Sequence, residues 1–337
     1  MAEAATSASF DVGRLLRRPE AGSFLGLIVV YVVFALLGGT VFLGSAGWSS
    51  WLNMAADVGT IALPVGLLMI AGLLDISVGA VLPASSLTVA IISGHYSLPL
   101  YLGIAGGLLV GLVVGLINGL LVTQSKIPSL IITIGTMFGV MGLTLGLTIL
   151  IAGSTGVFIV PDAQTKSIFG DALGGMFQVS IFWWMGFIAV FYYLLHVSPW
   201  GNWVFALGGD RESARNAGIP TRKTTIQLYM LSGFAAAFVG VTQVITFGSA
   251  QVAAGSSFIF NSIMCVVIGG VLLTGGAGSV IGIVFGTITF AIVNQGIFFS
   301  GLDPNFGSII IGALLLAAVL SNDSFRAMAL SFAAKKK

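Results

Sequence analysis

The amino-acid sequence predicts an all-α, polytopic membrane protein with about ten transmembrane helices. Of its 337 residues, 57% are apolar and only 7% are charged, whereas about 25% of the residues of an ordinary soluble domain are charged. The chain also contains 47 glycines, a residue that is frequent where helices pack closely in a bilayer. A soluble fold is excluded because too few charged residues exist to cover its surface. A single cysteine, Cys265, excludes a disulfide framework.

Stretches without charged residues place the helices along the chain, since a spanning helix needs about 20 mostly apolar residues. The first apolar stretch is too long for the core of a cleaved signal peptide, which has about 7–15 residues, so we expect it to be retained. The predicted spans are 21–44, 58–74, 76–93, 99–122, 128–152, 177–197, 225–247, 258–274, 279–300 and 306–320.

Short segments rich in turn-forming or polar residues separate these spans. The run Ser45–Trp48 follows the first helix, and Asp75 lies between the second and the third. Ser93–His95 precedes the fourth helix, the polar stretch Pro161–Asp171 precedes the sixth, and the glycine-rich run Thr274–Ser279 precedes the ninth. Glycine and proline favour turns at such positions.

The positions of lysine and arginine predict the topology, because these residues concentrate in cytoplasmic loops. Each pair of basic segments is separated by an even number of predicted spans, so both termini are predicted to be cytoplasmic. We therefore expect a cytoplasmic N-terminal segment 1–20, a membrane domain 21–322 with a cytoplasmic loop at 198–223, and a basic cytoplasmic tail 323–337. The basic residues that support this topology are Arg14, Arg17, Arg18, Lys126, Arg211, Arg215, Arg222, Lys223, Arg326 and Lys335–Lys337.

Two similar segments predict an internal inverted repeat. Asn118 and Asn294 each lie ten residues before a proline, Pro128 and Pro304, and an isoleucine cluster closed by glycine follows each proline. The topology gives these segments opposite orientations, so helices two to five are predicted to repeat as helices seven to ten.

Several kinds of chemistry are excluded. No Gly-Lys dipeptide occurs, which excludes a phosphate-binding Walker A loop and ATP hydrolysis by this chain. Two histidines and one cysteine leave no set with the spacing of a metal site, so we expect neither a bound metal nor catalytic residues. The net charge of +2 does not favour binding to nucleic acid. The spans contain few titratable residues, which argues against an ion-coupled carrier.

Two charged features remain. Asp75 opens the third helix, where its carboxylate is expected to cap backbone amides, and the same position would border a solute path within a broken helix. In the loop between helices six and seven, Asp210 suits a helix N-cap, Glu212 suits the first turn, and Gly218 with Pro220 suits a helix end. These residues predict a two-turn cytoplasmic helix that docks a partner.

Four segments resemble the permease subunits of bacterial monosaccharide ABC importers of the ribose, xylose and arabinose type. The loop 206–219 is similar to the coupling loop of that family, and Leu74–Gly79 (Leu-Asp-Ile-Ser-Val-Gly) looks like its Ile-Asp-Leu-Ser-Val-Gly pattern. Residues 116–137 and 267–282 resemble two further stretches, in family order. Asp210 and Ser213 depart from the pattern, which has Asn and Ala at these positions.

The resemblance implies a permease that imports a monosaccharide or related polyol across the bacterial inner membrane by alternating access. A cytoplasmic ABC ATPase would bind ATP and Mg²⁺ and would contact Asp210, Arg211, Glu212, Arg215 and Gly218. The further partners implied are a periplasmic sugar-binding protein, membrane lipid, and a second copy of the chain or a related permease. No cofactor is expected on this chain.

Side chains that exchange hydrogen bonds with sugar hydroxyls, or that stack on a sugar ring, are the candidates for the solute path. They are Asp75, Asn118, Asn294, Gln295 and Phe298. Asn118 and Asn294 equally suit hydrogen bonds between helices. Two alternative functions remain open, namely a permease for nucleosides or branched-chain amino acids and a membrane assembly subunit without a solute path.

Overall fold

The computed structural model describes residues 20–301, 303–313 and 316–317, and most of them are helical. The helices are α1 (Glu20–Leu43), α2 (Ser45–Ile70), α3 (Val78–Ala90), α4 (Leu100–Gln124), α5 (Ser129–Ala152), α6 (Ala163–Phe169), α7 (Ser180–Tyr192), α8 (Pro199–Gly209), α9 (Arg211–Asn216), α10 (Thr221–Phe247), α11 (Ser256–Ile268) and α12 (Val280–Phe299). Turns of π-helix extend α3 to His95 and α7 to Val197, and a 3₁₀ turn, Val252–Gly255, precedes α11.

Eight of the described helices are long and apolar enough to cross a membrane, which confirms an all-α, polytopic membrane fold. They are α1, α2, α3 with its π turn, α4, α5, α7 with its π turn, α10 and α12. The eighth predicted span corresponds to α11, which ends at Ile268 instead of 274 and is shorter than the others. The tenth begins in the 3₁₀ turn Pro304–Phe306 and is helical at 307–313 and 316–317. Residues 314, 315 and 318–320 of this span lie outside the described residues, as do 1–19 and the tail 323–337.

The predicted start of the second helix is wrong. The run Ser45–Trp48, expected to be a turn, is the first turn of α2, and Asp57 lies inside this helix. The prediction treats a charged residue as the end of an apolar span. Asp57 instead accepts a hydrogen bond from Gln243 of α10, and such a partner allows a carboxylate within a membrane helix.

The long helices pack as expected for an inverted repeat, because the first helix of each half contacts helices of the other half. Helix α2 of the first half packs against α11 and α12 of the second, and α10 of the second half packs against α3 and α4 of the first. Within each half, α3 packs on α4 and α11 packs on α12. Each half therefore packs against helices of the other half, and α2 and α10 lie at the centre of the bundle.

Glycine allows a very close contact between α4 and α10. A Cβ atom on Gly111 would collide with the carbonyl oxygen of Gly233, and a Cβ on Gly233 would collide with that of Gly111. Backbones approach this closely only where small residues meet. The central helices are consequently well buried, whereas most residues of α1 and α5 are exposed in the chain.

Two small antiparallel sheets lie at one end of the helices, and Val157 and Ala250 of the first sheet are buried in a hydrophobic cluster with residues of α3 and α10. Strand β1 (Gly156–Phe158), in the segment between α5 and α7, pairs with β4 (Ser249–Gln251), which follows α10. Strands β2 (Ala172–Leu173) and β3 (Phe177–Gln178) form a hairpin. We call the end of the bundle with α8, α9 and the 269–279 loop the basic end, and the end with the two sheets the strand end.

Candidate functional site

A short, well-defined helix, α9, protrudes at the basic end. Its N-cap is Asp210, whose Oδ1 accepts a 2.7 Å hydrogen bond from the backbone amide of Ser213. Hydrogen bonds from the Ser213 side chain and backbone hold the pKa of Asp210 below its usual range. This capping contribution is therefore present above the ordinary pKa of aspartate and is lost as the pH falls through the lowered value.

The end of α9 has the geometry of a Schellman motif. The amide of Gly218 donates to the carbonyl oxygen of Arg215 at 3.0 Å, and the amide of Ile219 donates to that of Ala214 at 3.1 Å. Gly218 adopts a φ of 81°, which glycine accommodates without strain. The sequence prediction of a two-turn helix that starts after Asp210 and stops at Gly218 is confirmed.

The side chains of α9 divide into an anchoring and a free face. Ala214 is buried, whereas Arg211, Glu212 and Arg215 are exposed. A helix of six residues has little stability of its own, so its two caps and Ala214 define its position. Three charged groups are thereby held at the surface of the chain.

Helix α8, which the sequence analysis did not predict, connects α9 to the core. A Cβ atom on Gly208 would collide with the carbonyl oxygen of Ile70, at the end of α2, and would lie close to the amide of Gly276. Gly276 itself donates a 2.8 Å hydrogen bond to Ile70. The base of α9 therefore touches the first half of the repeat at α2 and the second half at the 269–279 loop.

A second polar site surrounds Asp75 in the core. Its Oδ1 accepts from the amide of Ser77 at 2.9 Å and from the Ser77 hydroxyl at 2.6 Å, and its Oδ2 accepts from Ser232 of α10 at 2.8 Å. Ser77, not Asp75, is the N-cap of α3, so the carboxylate binds the amide that precedes the helix instead of the amides of its first turn.

Asn118 of α4 joins this network. Its Nδ2 donates to the Ser77 hydroxyl at 2.8 Å, while its Oδ1 finds no partner among the described residues although the side chain is fully buried. The hydroxyl of Tyr229 donates to the carbonyl oxygen of Leu74 at 3.0 Å. The segment between α2 and α3 is thus fixed to α4 and α10, and no part of Asp75 or Asn118 is accessible in this conformation.

A third polar site follows one face of α2 toward the strand end. The Ser50 hydroxyl donates to Oε1 of Gln295 at 2.7 Å, and Nε2 of Gln295 donates to Asn294 at 3.1 Å and to the sulfur of Met54 at 3.0 Å. These four side chains are partly exposed. Phe298, one turn beyond Asn294 on α12, is 63% exposed.

The same face of α2 continues to Asp57. Its Oδ2 accepts a 3.0 Å hydrogen bond from Nε2 of Gln243 on α10. Asn53, one turn away, donates to the carbonyl oxygen of Met176 at 2.8 Å and accepts from the amide of Gln178 at 2.9 Å. Asn53 thereby holds the β2–β3 hairpin over this site.

The residues chosen from the sequence therefore fall into separate groups. Asp75 and Asn118 share the buried network, and Asn294 and Gln295 lie together with Phe298 on α12 near α2. Sequence reasoning missed Asp57 and Gln243. The available signal was a carboxylate 18 residues before Asp75 in an otherwise apolar segment, a position that also suits a span boundary. Among the described residues, no group of histidine, cysteine or carboxylate side chains is arranged to hold a metal ion.

Residues 47–319 match the protein family described as the branched-chain amino acid transport system permease component. The chain is 29% identical to the fructose import permease protein of Rhizobium meliloti over 92% of its length and 87% of the relative's. It is 32% identical to the ribose import permease protein of Bacillus subtilis over 89% of its length and 92% of the relative's.

It is also 32% identical to the autoinducer 2 import system permease protein of Escherichia coli K12, over 78% of its length and 79% of the relative's. No solved structure matches the chain.

Proposed function

Because the chain belongs to the family of branched-chain amino acid transport system permease components, we propose that it is the permease subunit of an ATP-driven importer for a monosaccharide or related polyol. Two of its relatives are named for fructose and ribose, and these names favour a sugar over an amino acid or a nucleoside. The observation that carries the proposal is α9, a doubly capped, exposed helix whose base contacts both halves of the repeat.

Coupling would work through α9. A partner ATPase that binds ATP and Mg²⁺ is proposed to contact Arg211, Glu212 and Arg215 by charge-assisted hydrogen bonds, while Asp210 and Gly218 keep the helix in place. Displacement of α9 would move α8 and the Gly208 junction, and with it the adjoining ends of both halves. The permease would then alternate between its two access states without ion coupling.

The proposed orientation puts the basic end in the cytoplasm. Lys126, Arg211, Arg215, Arg222 and Lys223 lie at or beside the helix termini of this end, as expected for cytoplasmic loops of a bacterial inner-membrane protein. We propose the roles that the sequence predicts for the membrane domain 21–322, for its loop 198–223 and for the two terminal segments. The strand end would then receive the solute from a periplasmic binding protein.

A second permease copy is proposed to cover α5. Four glycines on this helix are exposed, and within the described residues no atom outside the adjacent turns of α5 lies within 4 Å of the position that a Cβ would occupy on them; they are Gly135, Gly139, Gly142 and Gly146. Exposed glycines at this spacing favour close contact with another membrane helix. A related permease would fit the same face.

The solute path is proposed to begin at the strand end beside Asn294, Gln295 and Phe298. Amide groups exchange hydrogen bonds with hydroxyls, and the exposed phenyl ring offers an apolar face. Asp75 and Asn118 would line the path only after α3 and α10 separate, because the hydrogen-bond network that contains them is buried in this structure.

Reconstitution tests the function. The chain is placed in proteoliposomes with its ATPase and binding protein, and uptake of radiolabelled D-ribose, D-fructose and L-leucine is measured with and without ATP. We expect ATP-dependent uptake of a sugar. Uptake of L-leucine alone would replace the sugar assignment by an amino-acid assignment, and uptake of none of the three would contradict both.

A further inference from the structure

The polar face of α2 that ends at Asp57 is the feature from which this inference starts. Ser50, Asn53, Met54 and Asp57 recur at helical spacing, and all four are partly exposed. From Val58 to Ile70, every residue of α2 is buried. Access to this face therefore exists on the strand side of Asp57 and ends at that residue.

The polar side chains of this face differ in how many of their hydrogen-bonding groups already have a partner within the chain. Both polar groups of the Asn53 amide bind the β2–β3 hairpin, and both groups of the Gln295 amide bind neighbours within the bundle. The Asp57 carboxylate can accept about four hydrogen bonds, but within the described part of the chain its one hydrogen bond of ordinary geometry comes from Gln243. Asp57 is thus the polar side chain of this face that can accept further hydrogen bonds.

An aromatic side chain lies beside this pair. Phe247 follows Gln243 by one turn on the same face of α10 and is 63% exposed. A carboxylate, an amide and an aromatic ring form the combination that suits a polyhydroxylated ring, because hydroxyls bind the polar groups while the C–H face packs on the aromatic ring.

A purely structural role would not require a charge at this position. Hydrogen bonds between membrane helices are made equally well by neutral side chains, whereas a carboxylate at membrane depth is costly and marks solute pathways. From its spare acceptor capacity and its access to the strand end, we infer that Asp57, with Gln243 and Phe247, forms the first binding site for the solute within the permease. The ligand class is a neutral, polyhydroxylated molecule, and the inference rests on the proposed import function.

Cysteine labelling tests the access that this site requires. Cys265 is the only cysteine of the chain, so Cys265→Ala provides a background without thiols. Gln243→Cys and Phe247→Cys are expected to react with a membrane-impermeant maleimide added at the strand side, and D-ribose should slow the reaction at least about threefold. Ser232→Cys, buried in the same helix, is the control and should stay unlabelled. Absence of labelling at both test positions would overturn the inference.

Uptake measurements on Asp57 variants distinguish a role of this residue in solute binding from a purely structural role. Asp57→Asn keeps the size of the side chain and part of its acceptor capacity, whereas Asp57→Leu keeps neither. Loss of a hydrogen bond to a charged group corresponds to about a tenfold to hundredfold effect, so we expect D-ribose uptake to fall more than tenfold in Asp57→Leu and less in Asp57→Asn. ATPase activity stimulated by the binding protein should persist. Asp171→Asn, an exposed position of the same end, should transport normally.

The outcomes distinguish this site from the general function. Normal uptake by Asp57→Leu would overturn the site while leaving the import function intact. If the unmodified importer transports L-leucine instead of D-ribose, the sugar assignment fails, and labelling in the presence of L-leucine decides whether the site serves that solute. Protection by L-leucine but not by D-ribose would overturn the polyhydroxylated ligand class.

Discussion

The backbone amide of Gly276 donates a 2.8 Å hydrogen bond to the carbonyl oxygen of Ile70. Ile70 ends α2 in the first half of the repeat, and Gly276 lies in the loop that precedes α12 in the second. Gly208 packs directly against both residues. One backbone contact at the base of α9 thus joins the two halves, whose relative motion is the proposed basis of transport.

The first prediction concerns Gly208. In Gly208→Val, the new side chain would collide with Ile70 and Gly276, and overpacking of this kind costs about 1–3 kcal/mol. We expect a lower melting temperature in detergent and a loss of ATP-driven uptake. Gly209→Val is the matched control, because no atom of the described residues outside its own turn of helix lies within 4 Å of the position of a Cβ on Gly209. Equal behaviour of the two variants would argue against the junction.

The second prediction concerns the exposed charges of α9. Glu212→Ala combined with Arg215→Ala should abolish uptake and ATPase stimulation because the contacts to the ATPase are lost. Exposed substitutions change the free energy of unfolding by less than about 0.5 kcal/mol, so insertion should be normal. Asn216→Ala, on the same helix and also exposed, is the control. Full uptake by the double variant would contradict the coupling role.

The third prediction concerns the helix end at Gly218. Its φ of 81° costs a residue with a Cβ atom about 1 kcal/mol or more, so Gly218→Ala should loosen α9 and lower uptake by a few-fold. Asparagine tolerates this backbone region better than alanine. Gly218→Asn should therefore retain more uptake, and a reversed order would show that the conformation is irrelevant to transport.

The fourth prediction concerns the buried Asp75 network. Ser232→Ala removes the donor to Oδ2 of Asp75 and leaves buried acceptor capacity unpaired, at a cost of about 1–3 kcal/mol. Thermal unfolding in detergent should detect this loss. Ser262→Ala is the control, since this equally buried hydroxyl bonds only a carbonyl oxygen of its own helix. Indistinguishable melting temperatures would mean that the contact to Asp75 adds no stability.

The fifth prediction concerns the open face of α5. Gly139→Leu should prevent close helix contact and convert a permease dimer to monomer in mild detergent, as measured by light scattering. Gly26→Leu on α1 is the matched control, because among the described residues no atom outside its own turn of helix lies within 4 Å of the position of a Cβ on Gly26. If only the α1 variant dissociates, the dimer surface lies on α1.

The sequence predicted the helices from charge-free stretches, and this worked where charges lie at helix ends. It failed at Asp57, because a pairing with Gln243 on another helix cannot be read from local composition. The capped helix α9 was predictable since its signals, Asp210 and Gly218, are local. The junction at Gly208 was not, because it brings together three segments that are distant in the chain.

The β1–β4 pairing has a consequence for the kinetics of transport. Gly156–Phe158 belongs to the first half of the chain and Ser249–Gln251 to the second, and their ladder ties the halves together at the strand end. A motion that widens this end must either carry the ladder as a rigid hinge or break its hydrogen bonds. In the second case, breaking the ladder would free the amides of Ile159 and Val252, which donate across it to the carbonyl oxygens of Gly248 and Thr155. Hydrogen exchange at these two amides would then rise in step with turnover.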